Sequence, residues 1–494
     1  MLEPAGRVLY LEQLRPPDGY RLDCAVATTY SLDLVSLLMA PMSMALMEVD
    51  EPQETLEDPV ALLEALRRTT GRFSIFCQQG RISIPRTESL LYGYLESSVV
   101  EVQPPHEHAV FHPKIWLLRF TDEDENILYR FLCLSRNLTN DRSWDTAVVL
   151  DGELAGQGET FLRNRPLSEF VSALPGLSVQ EPANNTVETC DLISDEIRRV
   201  DFEVPDPFRD EGEPEDLMFA PMGLPEVTGP SPRHEGSNRH LVVSPFLSAG
   251  KIREIAEHGS DNVLISRSDE LEGLNQSTCK DIEGMDTDLY VLGEGADHPD
   301  EVTGQRGGRS DVEEESDEVK DVSRRLSGLH AKLYLIEHGA YDVRLWSGSA
   351  NATNAGLGGR NVELLVGLRG WRREMGIDKV LGEESDQEKK EVTCLRDLLR
   401  RYAPSEQEKT EDEVTRKLER ELQNARRKLA CADLQILASR SDESYELTLR
   451  ATEPLSLEED QVSGMCFLVT QGEDAARNLS QLLSGDCVRF ENVS

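Results

Sequence analysis

The sequence predicts an α/β protein in which one chain contains two similar halves, followed by a small α+β module. Two observations support this prediction. The same set of polar residues occurs twice along the 494 residues, and each copy follows the same order of apolar runs. Those runs are nearly continuous rather than alternating, as is typical of strands covered on both faces. The pattern therefore favours two α/β sandwiches within one chain.

The first half is predicted to span residues 1–151. An apolar run at 21–33 opens into a helical stretch, a β-type run follows at 72–77, and a last apolar strand lies at 146–150. The apolar stretch at 34–49 is interrupted by a proline and is too short to cross a membrane. We therefore expect it to form a buried helix or two short ones.

Residues 152–238 connect the halves. They begin with a helical part and continue, from residue 203, as a linker rich in proline, glycine and acidic residues. The second half, residues 239–371, then repeats the strand and helix order of the first. Its acidic loop at 293–318 is predicted to be a solvated surface insertion, and its position also allows a lid.

Residues 372–494 have a different pattern and are predicted to form an accessory module. A charged stretch at 405–431 carries apolar residues at helical spacing, which predicts a long amphipathic helix. Strand-like runs follow at 445–449 and 465–469. A protein partner could bind through this module.

The repeated polar motif consists of a His-x-Lys pair, a Ser-x-Asn pair and an acidic residue. The first copy contains His112, Lys114, Ser135, Asn137 and Asp145. The second copy contains His330, Lys332, Ser349, Asn351 and Glu363. A single His-x-Lys pair would carry little weight, but two complete copies in matching surroundings are specific.

These residue types suit the cleavage of a phosphodiester. The reaction requires a nucleophile, an acid for the leaving oxygen and positive charge near the non-bridging oxygens. Histidine can take either of the first two roles because its pKa lies near neutrality. Residues i and i+2 of a strand share a face, so each His and Lys should lie side by side, as should each Ser and Asn. The acid can hold an imidazole in one tautomer.

Nothing in this set needs a metal, and we expect neither a metal site nor a cofactor. His106 and His108 precede the first motif, but no cysteine or second His pair lies at ligand spacing. We interpret them as loop residues. Trp116 and Tyr334, two residues past the lysines, could stack a base, although packing is the better interpretation.

The two motifs resemble those of the phospholipase D superfamily, the His-Lys-Asp phosphodiesterases. The second copy, with Gly348 before Ser349, matches closely, and the first is more divergent. The resemblance covers about 20–150 and 239–370. It implies two βα-sandwich halves that form a pseudo-dimer in one chain, with both histidines in the seam. It also implies that one histidine forms a covalent phosphohistidine, while the other protonates the leaving group and then activates water.

The chain departs from the family pattern at several positions. The family's acid, separated from the lysine by four residues, is Arg119 in the first copy and Glu337 in the second. Leu134 replaces the first glycine, and Arg136 follows Ser135. The resemblance implies that loss of this acid is common in nuclease-like prokaryotic branches. Arg136 and Arg142 could each contact phosphate or form surface salt bridges.

The motifs predict a metal-independent phosphodiesterase, preferably a nuclease that acts on DNA or RNA, and the resemblance implies that it acts through a phosphohistidine. The predicted catalytic residues are His112, Lys114, Asn137, Asp145, His330, Lys332, Asn351 and Glu363, and the predicted phosphate contacts are Ser135, Ser349 and Arg136. The order of the two histidines stays open. The alternatives are a phospholipase or phosphatidyl transferase, and a nucleic-acid-binding protein that has lost turnover. A role in prokaryotic defence is an expectation from fold analogy alone.

The composition adds expectations about the surroundings of the protein. The net charge is −40, with eleven lysines and forty-one arginines. Because the acids are spread along the chain, we favour adaptation to high salt over an acidic partner-binding surface. Nine scattered cysteines without a Cys-x-x-Cys pair, and an N-terminus without an export-signal pattern, predict a cytoplasmic protein. Both half-sites lie in one chain, so dimerisation is not required.

Overall fold

The computed structural model contains two α/β halves and a small C-terminal module. The described residues are 10–45, 63, 66–69, 71–83, 91–139, 143–156, 158–274, 276–293, 328–382, 394–403, 418, 421–422, 425, 428–429, 432–441, 444–452, 464–468, 475–483 and 485–493. Most of the predicted acidic loop and of the predicted charged helix, together with Arg142, lies outside these residues. Among the described residues, no helix is long and apolar enough to cross a lipid bilayer.

The first half is built on a seven-stranded sheet. In chain order the strands are β1 (Arg21–Thr29), β2 (Leu32–Asp33), β3 (Phe73–Gln78), β4 (Ile82–Ser83), β5 (Val99–Val102), β6 (Ile115–Thr121), β7 (Ile127–Leu134), β8 (Ser143–Trp144), β9 (Ala147–Leu154) and β10 (Val200–Phe202). The sheet has the order β10-β9-β7-β6-β1-β3-β5, and β2 pairs separately with β4.

The second half is built on an eight-stranded sheet. Its strands are β11 (Leu217–Met222), β12 (Arg239–Val243), β13 (Asn262–Ser266), β14 (Thr287–Leu292), β15 (Gly328–Leu329), β16 (Leu333–His338), β17 (Asp342–Gly348), β18 (Glu363–Trp371) and β19 (Leu399–Arg401). The sheet has the order β11-β18-β17-β16-β12-β13-β14-β19, and β15 pairs with β8 of the first half.

Helices cover the sheets and connect the halves. They are α1 (Tyr10–Gln13), α2 (Leu34–Ala45), α3 (Tyr92–Leu95), α4 (Arg165–Ala173), α5 (Asn184–Ile197), α6 (Ala249–Ala256), α7 (Ser268–Gly273), α8 (Gln276–Gly284), α9 (Arg372–Met375), α10 (Ile377–Leu381) and α11 (Ser480–Leu483). Short 3-10 helices lie at Glu96–Ser98, Leu162–Asn164, Pro175–Leu177 and Leu395–Leu398.

The two sheets share one internal strand order, which confirms the predicted duplication. In the first, β1, β3 and β5 are parallel and β6, β7 and β9 are antiparallel. In the second, β12, β13 and β14 are parallel and β16, β17 and β18 are antiparallel. The sequence pattern did not reveal the third parallel strand of each half, β5 or β14.

The chain between and after the halves contributes edge strands. β11 lies inside the stretch interpreted as a linker, yet it pairs with β18 at the edge of the second sheet. Its Pro221 is compatible with an edge position, because proline cannot donate to a ladder. β19 pairs with β14 on the opposite edge, so the second sheet extends beyond residue 371.

Both faces of each sheet are covered, as the continuous apolar runs predict. A central hydrophobic cluster joins the inner faces, where the ring centroids of Phe131 and Phe219 lie 5.3 Å apart. Residues of α2 cover the outer face of the first sheet, and residues of α6 and α8 cover that of the second. Trp116 and Tyr334 are buried in these outer clusters, so both residues pack. Burying one such side chain contributes roughly 1.5–3 kcal/mol.

Polar contacts also join the halves at the seam. The hydroxyl groups of Thr146 and Ser347 are 2.9 Å apart. Gly348 has a φ of 150°, and a Cβ there would lie 2.4 Å from the carbonyl oxygen of Leu364 and 2.9 Å from the Sγ of Cys133. Only glycine fits such a backbone position without displacing its neighbours.

The C-terminal module contains the strands β20 (Leu434–Ser441), β21 (Ser444–Ala451), β22 (Met465–Cys466), β23 (Arg477–Asn478) and β24 (Val488–Val493). β20, β21 and β24 form a three-stranded sheet, and β22 pairs with β23. Leu482, Val488 and Phe490 form its small buried core. The structure thus has strands at two stretches where the sequence predicted them.

Candidate active site

The two halves exchange backbone contacts around the histidines. Phe111 forms a parallel bridge with Val362, and the amide of His112 donates to the Val362 carbonyl at 2.8 Å. β15 pairs in the same way with β8, and the amide of His330 donates to the Trp144 carbonyl at 3.0 Å. Each histidine therefore lies against the segment that carries the acid of the other half.

His112 receives its acid from the second half. Its Nδ1 lies 2.9 Å from the Oε2 of Glu363, which also accepts a hydrogen bond from the Ser349 hydroxyl. Glu363 is 1% exposed, and its Oε1 lies 3.4 Å from the Asn361 side-chain amide. Because the carboxylate accepts the Nδ1 proton, the Nε2 of His112 carries the lone pair.

His330 has different surroundings. Its Nδ1 lies 3.6 Å from the Oδ1 of Asp145, which is too long for a hydrogen bond. The same Nδ1 lies 3.1 Å from the Nζ of Lys332. An ammonium group can only donate, so the Nδ1 of His330 faces a donor where the Nδ1 of His112 faces an acceptor. The groups beside the two Nδ1 atoms are thus opposite in charge.

Both lysines are buried beside the histidines. The Nζ of Lys114 donates to the His112 carbonyl at 2.7 Å, and the Nζ of Lys332 donates to the His330 carbonyl at 2.7 Å. The exposed fractions of these lysines are 1% and 0%. His112 and Lys114 precede β6 rather than lying in it, and His330 and Lys332 precede β16. The prediction that each His and Lys lie on one face of a strand is therefore wrong. Instead, the hydrogen bond from each lysine Nζ to the histidine carbonyl places the lysine beside its histidine.

Burial and the neighbouring lysines lower the basicity of the site. Burial lowers the pKa of His112 to about 4; Glu363 opposes the shift and Lys114 adds to it. Burial, followed by Lys332 and Lys114, lowers the pKa of His330 still further. Burial and the charge of Lys332 also bring the pKa of Lys114 well below its usual value. Burial raises the pKa of Glu363, but His112, Lys114 and the Ser349 hydroxyl together outweigh that effect and keep it below its usual value.

The Ser-x-Asn segments follow the ends of β7 and β17. The Ser135 hydroxyl lies 3.3 Å from the Oδ1 of Asp145 and accepts the Thr146 amide at 2.8 Å, and the Ser349 hydroxyl accepts the Leu364 amide at 3.0 Å. The serines thus hold the acids in place. Among the described residues, the Oδ1 atoms of Asn137 and Asn351 are buried and accept no hydrogen bond.

Two hydroxyl groups that the sequence did not single out hold these segments in place. The Oγ1 of Thr29 accepts the Leu138 amide at 3.1 Å, and the Oγ of Ser244 accepts the Ala352 amide at 2.9 Å. Both hydroxyls are buried, and each donates at 2.8 Å to the carbonyl two residues further along the chain. Their equivalence in the two halves was hidden because Thr29 and Ser244 belong to no recognisable motif.

Tyr30 is a further residue that sequence reasoning missed. Its ring contacts the His112 ring edge-on with a centroid distance of 5.3 Å, and the Arg81 guanidinium lies over it at 4.9 Å. Arg136 lies beside the site, with an Nη1 3.7 Å from Asp145 and an Nη2 that donates to the Thr139 carbonyl at 2.8 Å.

The positions of the missing family acid have a structural role. Arg119 pairs with Glu196 of α5 at 2.8 Å and also with Asp23. Glu337 accepts the Ile377 amide at the start of α10 at 2.8 Å. Each residue connects a strand to a covering helix. None of these contacts involves His112 or His330.

No described residues form a group of three or more His, Cys, Asp or Glu side chains placed to hold a metal ion. His108 is exposed, with a side chain 74% accessible, and His106 is exposed beside it. Both residues lie in the loop before Phe111, as interpreted from the sequence.

The fold is similar to that of two solved enzymes. A structure of yeast tyrosyl-DNA phosphodiesterase shares 12% identity at a TM-score of 0.38, covering 75% of this chain and 87% of that one. A variant of the same enzyme gives 11% identity, a TM-score of 0.42 and the same coverage. Polyphosphate kinase from Porphyromonas gingivalis gives 11% identity, a TM-score of 0.32 and coverage of 73% and 44%. No family model and no curated protein matches the chain.

The chain's own residues test the resemblance to the phospholipase D superfamily. That resemblance implies two halves of one fold with both histidines at the seam, and the strand order and the exchanged contacts of His112 and His330 meet both conditions. The protein has a doubled α/β fold with a His-x-Lys segment of each half at the seam, as the resemblance implies.

Proposed function

We propose that the protein is a phosphodiesterase of the phospholipase D type that hydrolyses nucleic-acid phosphodiesters through a covalent phosphohistidine. The observation that carries this proposal is the difference between the partners of the two histidines. The Nδ1 of His112 lies beside the Glu363 carboxylate, which leaves a lone pair at Nε2 for attack, and the Nδ1 of His330 lies beside the Lys332 ammonium group. A two-step displacement at phosphorus requires one nucleophile and one proton donor.

In the proposed first step the Nε2 of His112 attacks phosphorus. The P–N bond forms, the P–O bond to the leaving group breaks, and the leaving oxygen takes a proton from His330. The pKa of His330 is low in the free site, so the neutral ring must take up a proton from solvent and become an imidazolium when the anionic phosphodiester binds. A negative charge placed beside an imidazole favours its protonated form. Glu363 stabilises the positive charge that develops on His112.

In the second step a water molecule gives its proton to the neutral His330 and attacks phosphorus. The P–N bond then breaks, and His112 is regenerated with its Nδ1 proton still donated to Glu363. Lys114, Lys332 and the side-chain amides of Asn137 and Asn351 are proposed to stabilise the charge on the phosphoryl oxygens.

The proposal is tested with labelled single- and double-stranded DNA and RNA, at low and molar salt, in EDTA. We expect cleavage by the wild type and by His106→Ala, an exposed control in the neighbouring loop. His112→Ala and His330→Ala should each lose at least a hundredfold in rate, because each removes one obligatory role.

Trapping the covalent intermediate distinguishes the nucleophilic histidine from the proton donor. Acid-labile, alkali-stable phosphate should remain on the wild-type protein after a quench and be absent from His112→Ala. Cleavage that chelation abolishes would contradict the metal-independent mechanism. Binding without cleavage, unchanged in His112→Ala, would instead identify a nucleic-acid-binding protein, and turnover of phospholipid vesicles alone would identify a lipase.

A further inference from the structure

Phe246 lies at the rim of the candidate active site. It belongs to the segment between β12 and α6, and its neighbour Leu247 forms a parallel bridge with Ala352. Ala352 directly follows Asn351, one of the proposed phosphoryl contacts. Bridged strands lie about 4.8 Å apart, so the backbone at Phe246 is close to the Ser-x-Asn segment.

The backbone beneath this ring is fixed while the ring itself is exposed. The Ser244 hydroxyl donates to the Phe246 carbonyl at 2.8 Å, and the Leu247 amide donates to Glu270 at 3.1 Å. Phe246 is nonetheless 40% exposed. The backbone that carries this ring is pre-organised for contact, since little backbone conformational entropy remains to be lost on binding.

Arg267 lies against this ring. Its Cζ is 5.6 Å from the Phe246 centroid, and its guanidinium pairs with both carboxylate oxygens of Asp269. The edge of the guanidinium is therefore occupied by Asp269. The position of the Arg267 guanidinium over the Phe246 ring is that of a cation–π contact.

Among the described residues of the first half, no exposed ring occupies the corresponding position. By strand register Leu32 matches Leu247, because each bridges to the residue after its Ser-x-Asn pair, Leu138 and Ala352. Ser31 therefore occupies the position of Phe246. Tyr30, the adjacent aromatic residue, already contacts His112 and Arg81. An exposed aromatic face thus lies on the second-half side of the site.

We propose that Phe246, backed by Arg267, is a stacking platform for a nucleobase beside the scissile phosphate, and that the substrate strand is single-stranded there. This inference rests on the proposed function and names its substrate class. A paired base inside a duplex has both faces covered by its neighbours. Only an unpaired base can place a face on Phe246.

The charge of the protein favours a contact of this kind. With a net charge of −40, the body of the chain repels a polyphosphate backbone, and salt weakens the contacts made by local cations. Stacking does not depend on the charge of either partner, so a ring can retain the strand at high salt.

The test measures binding of short single strands that carry 2-aminopurine at successive positions, in EDTA and at low and molar salt. Phe246→Ala should weaken binding about 5- to 150-fold and remove the fluorescence quenching at one position. Phe246→Trp should retain both. Tyr341→Ala is the matched control, because Tyr341 is a 73% exposed aromatic residue at the opposite end of the same sheet.

A strand with an abasic residue at the quenched position separates this inference from the proposed function. Wild type and Phe246→Ala should bind and cleave that strand equally. Three results would overturn the platform. The first is equal affinity of wild type and Phe246→Ala for the intact strand, and the second is no binding of any single strand. The third is binding of a duplex that is weakened as much by Phe246→Ala as binding of a single strand is. Base-dependent binding with no cleavage of either strand would leave the platform standing and refute the phosphodiesterase.

Discussion

Replacing Glu363 with Gln should impair the reaction much more than the equivalent change of Asp145 to Asn. Gln keeps the size of the side chain and an acceptor oxygen but removes the charge that lies 2.9 Å from the Nδ1 of His112. A hydrogen bond to a charged group contributes about 1.5–3 kcal/mol. If that contribution supports the positive charge on the ring during attack, the loss corresponds to about a 10- to 150-fold slower step. Asp145 lies 3.6 Å from His330, so its neutralisation should cost less than about tenfold.

Rapid-quench measurement of phosphohistidine formation is the appropriate assay, because it isolates the step in which His112 attacks. The Glu363→Gln variant should show the slower burst while its affinity for substrate changes little. Thermal unfolding run alongside would establish that both variants are folded. Equal losses in the two variants, or a larger loss in Asp145→Asn, would refute the assignment of His112 as the nucleophile.

Three further predictions concern protonation and stability. Binding of orthovanadate near pH 7 should take up protons, because burial and the two lysines lower the pKa of His330 in the free site and a bound anion raises it; calorimetry in buffers of different ionisation enthalpy would measure this, and zero uptake would contradict it. Gly348→Ala should lower the free energy of unfolding by about 3 kcal/mol, because its Cβ would meet Leu364 at 2.4 Å. Gly339→Ala, at a φ of 58° but with open space around it, should cost only about 1 kcal/mol in the same denaturation experiment. Arg119→Met should cost about 3 kcal/mol by leaving Glu196 buried without its cation, with little change in kcat. Burial raises the pKa of Glu196, but hydrogen bonds from Arg119 and Tyr129 bring it below its usual value, so this stabilisation is present above the unfolded pKa of about 4.3 and is lost as the pH falls. The free energy of unfolding should therefore depend less on pH in Arg119→Met than in the wild type.

The duplication and the identity of the motif residues could be predicted because each depends on neighbouring positions in the sequence. Val26 and Ile115, for example, lie in nearly continuous apolar runs, which predict buried strands, and both residues are buried. The exchange of acids between the halves could not be predicted. Pairing of His112 with Glu363 spans 251 residues and depends on how the two sheets pack. Asp145 is nearer in sequence, and the sequence gives no reason to reject it.

Some elements were hidden because their local signal is weak. β5 has four residues, of which only Val102 is buried, so its pattern barely differs from that of a loop. β11 lies among prolines, glycines and acids, and a linker has the same composition. Thr29 and Ser244 could have been found only by aligning the two halves residue by residue, because a buried hydroxyl leaves no periodic pattern.

The covalent connection between the halves has a consequence for how the site can specialise. In a symmetric homodimer, every substitution appears on both sides of the axis at once. Here Glu363 and Asp145, Gly348 and Leu134, and Phe246 and Ser31 occupy equivalent positions and differ. One half can therefore acquire a firmly held nucleophile while the other acquires a responsive proton donor and a contact for the substrate. Fusion into a single chain makes a division of labour available that an assembly of identical subunits lacks.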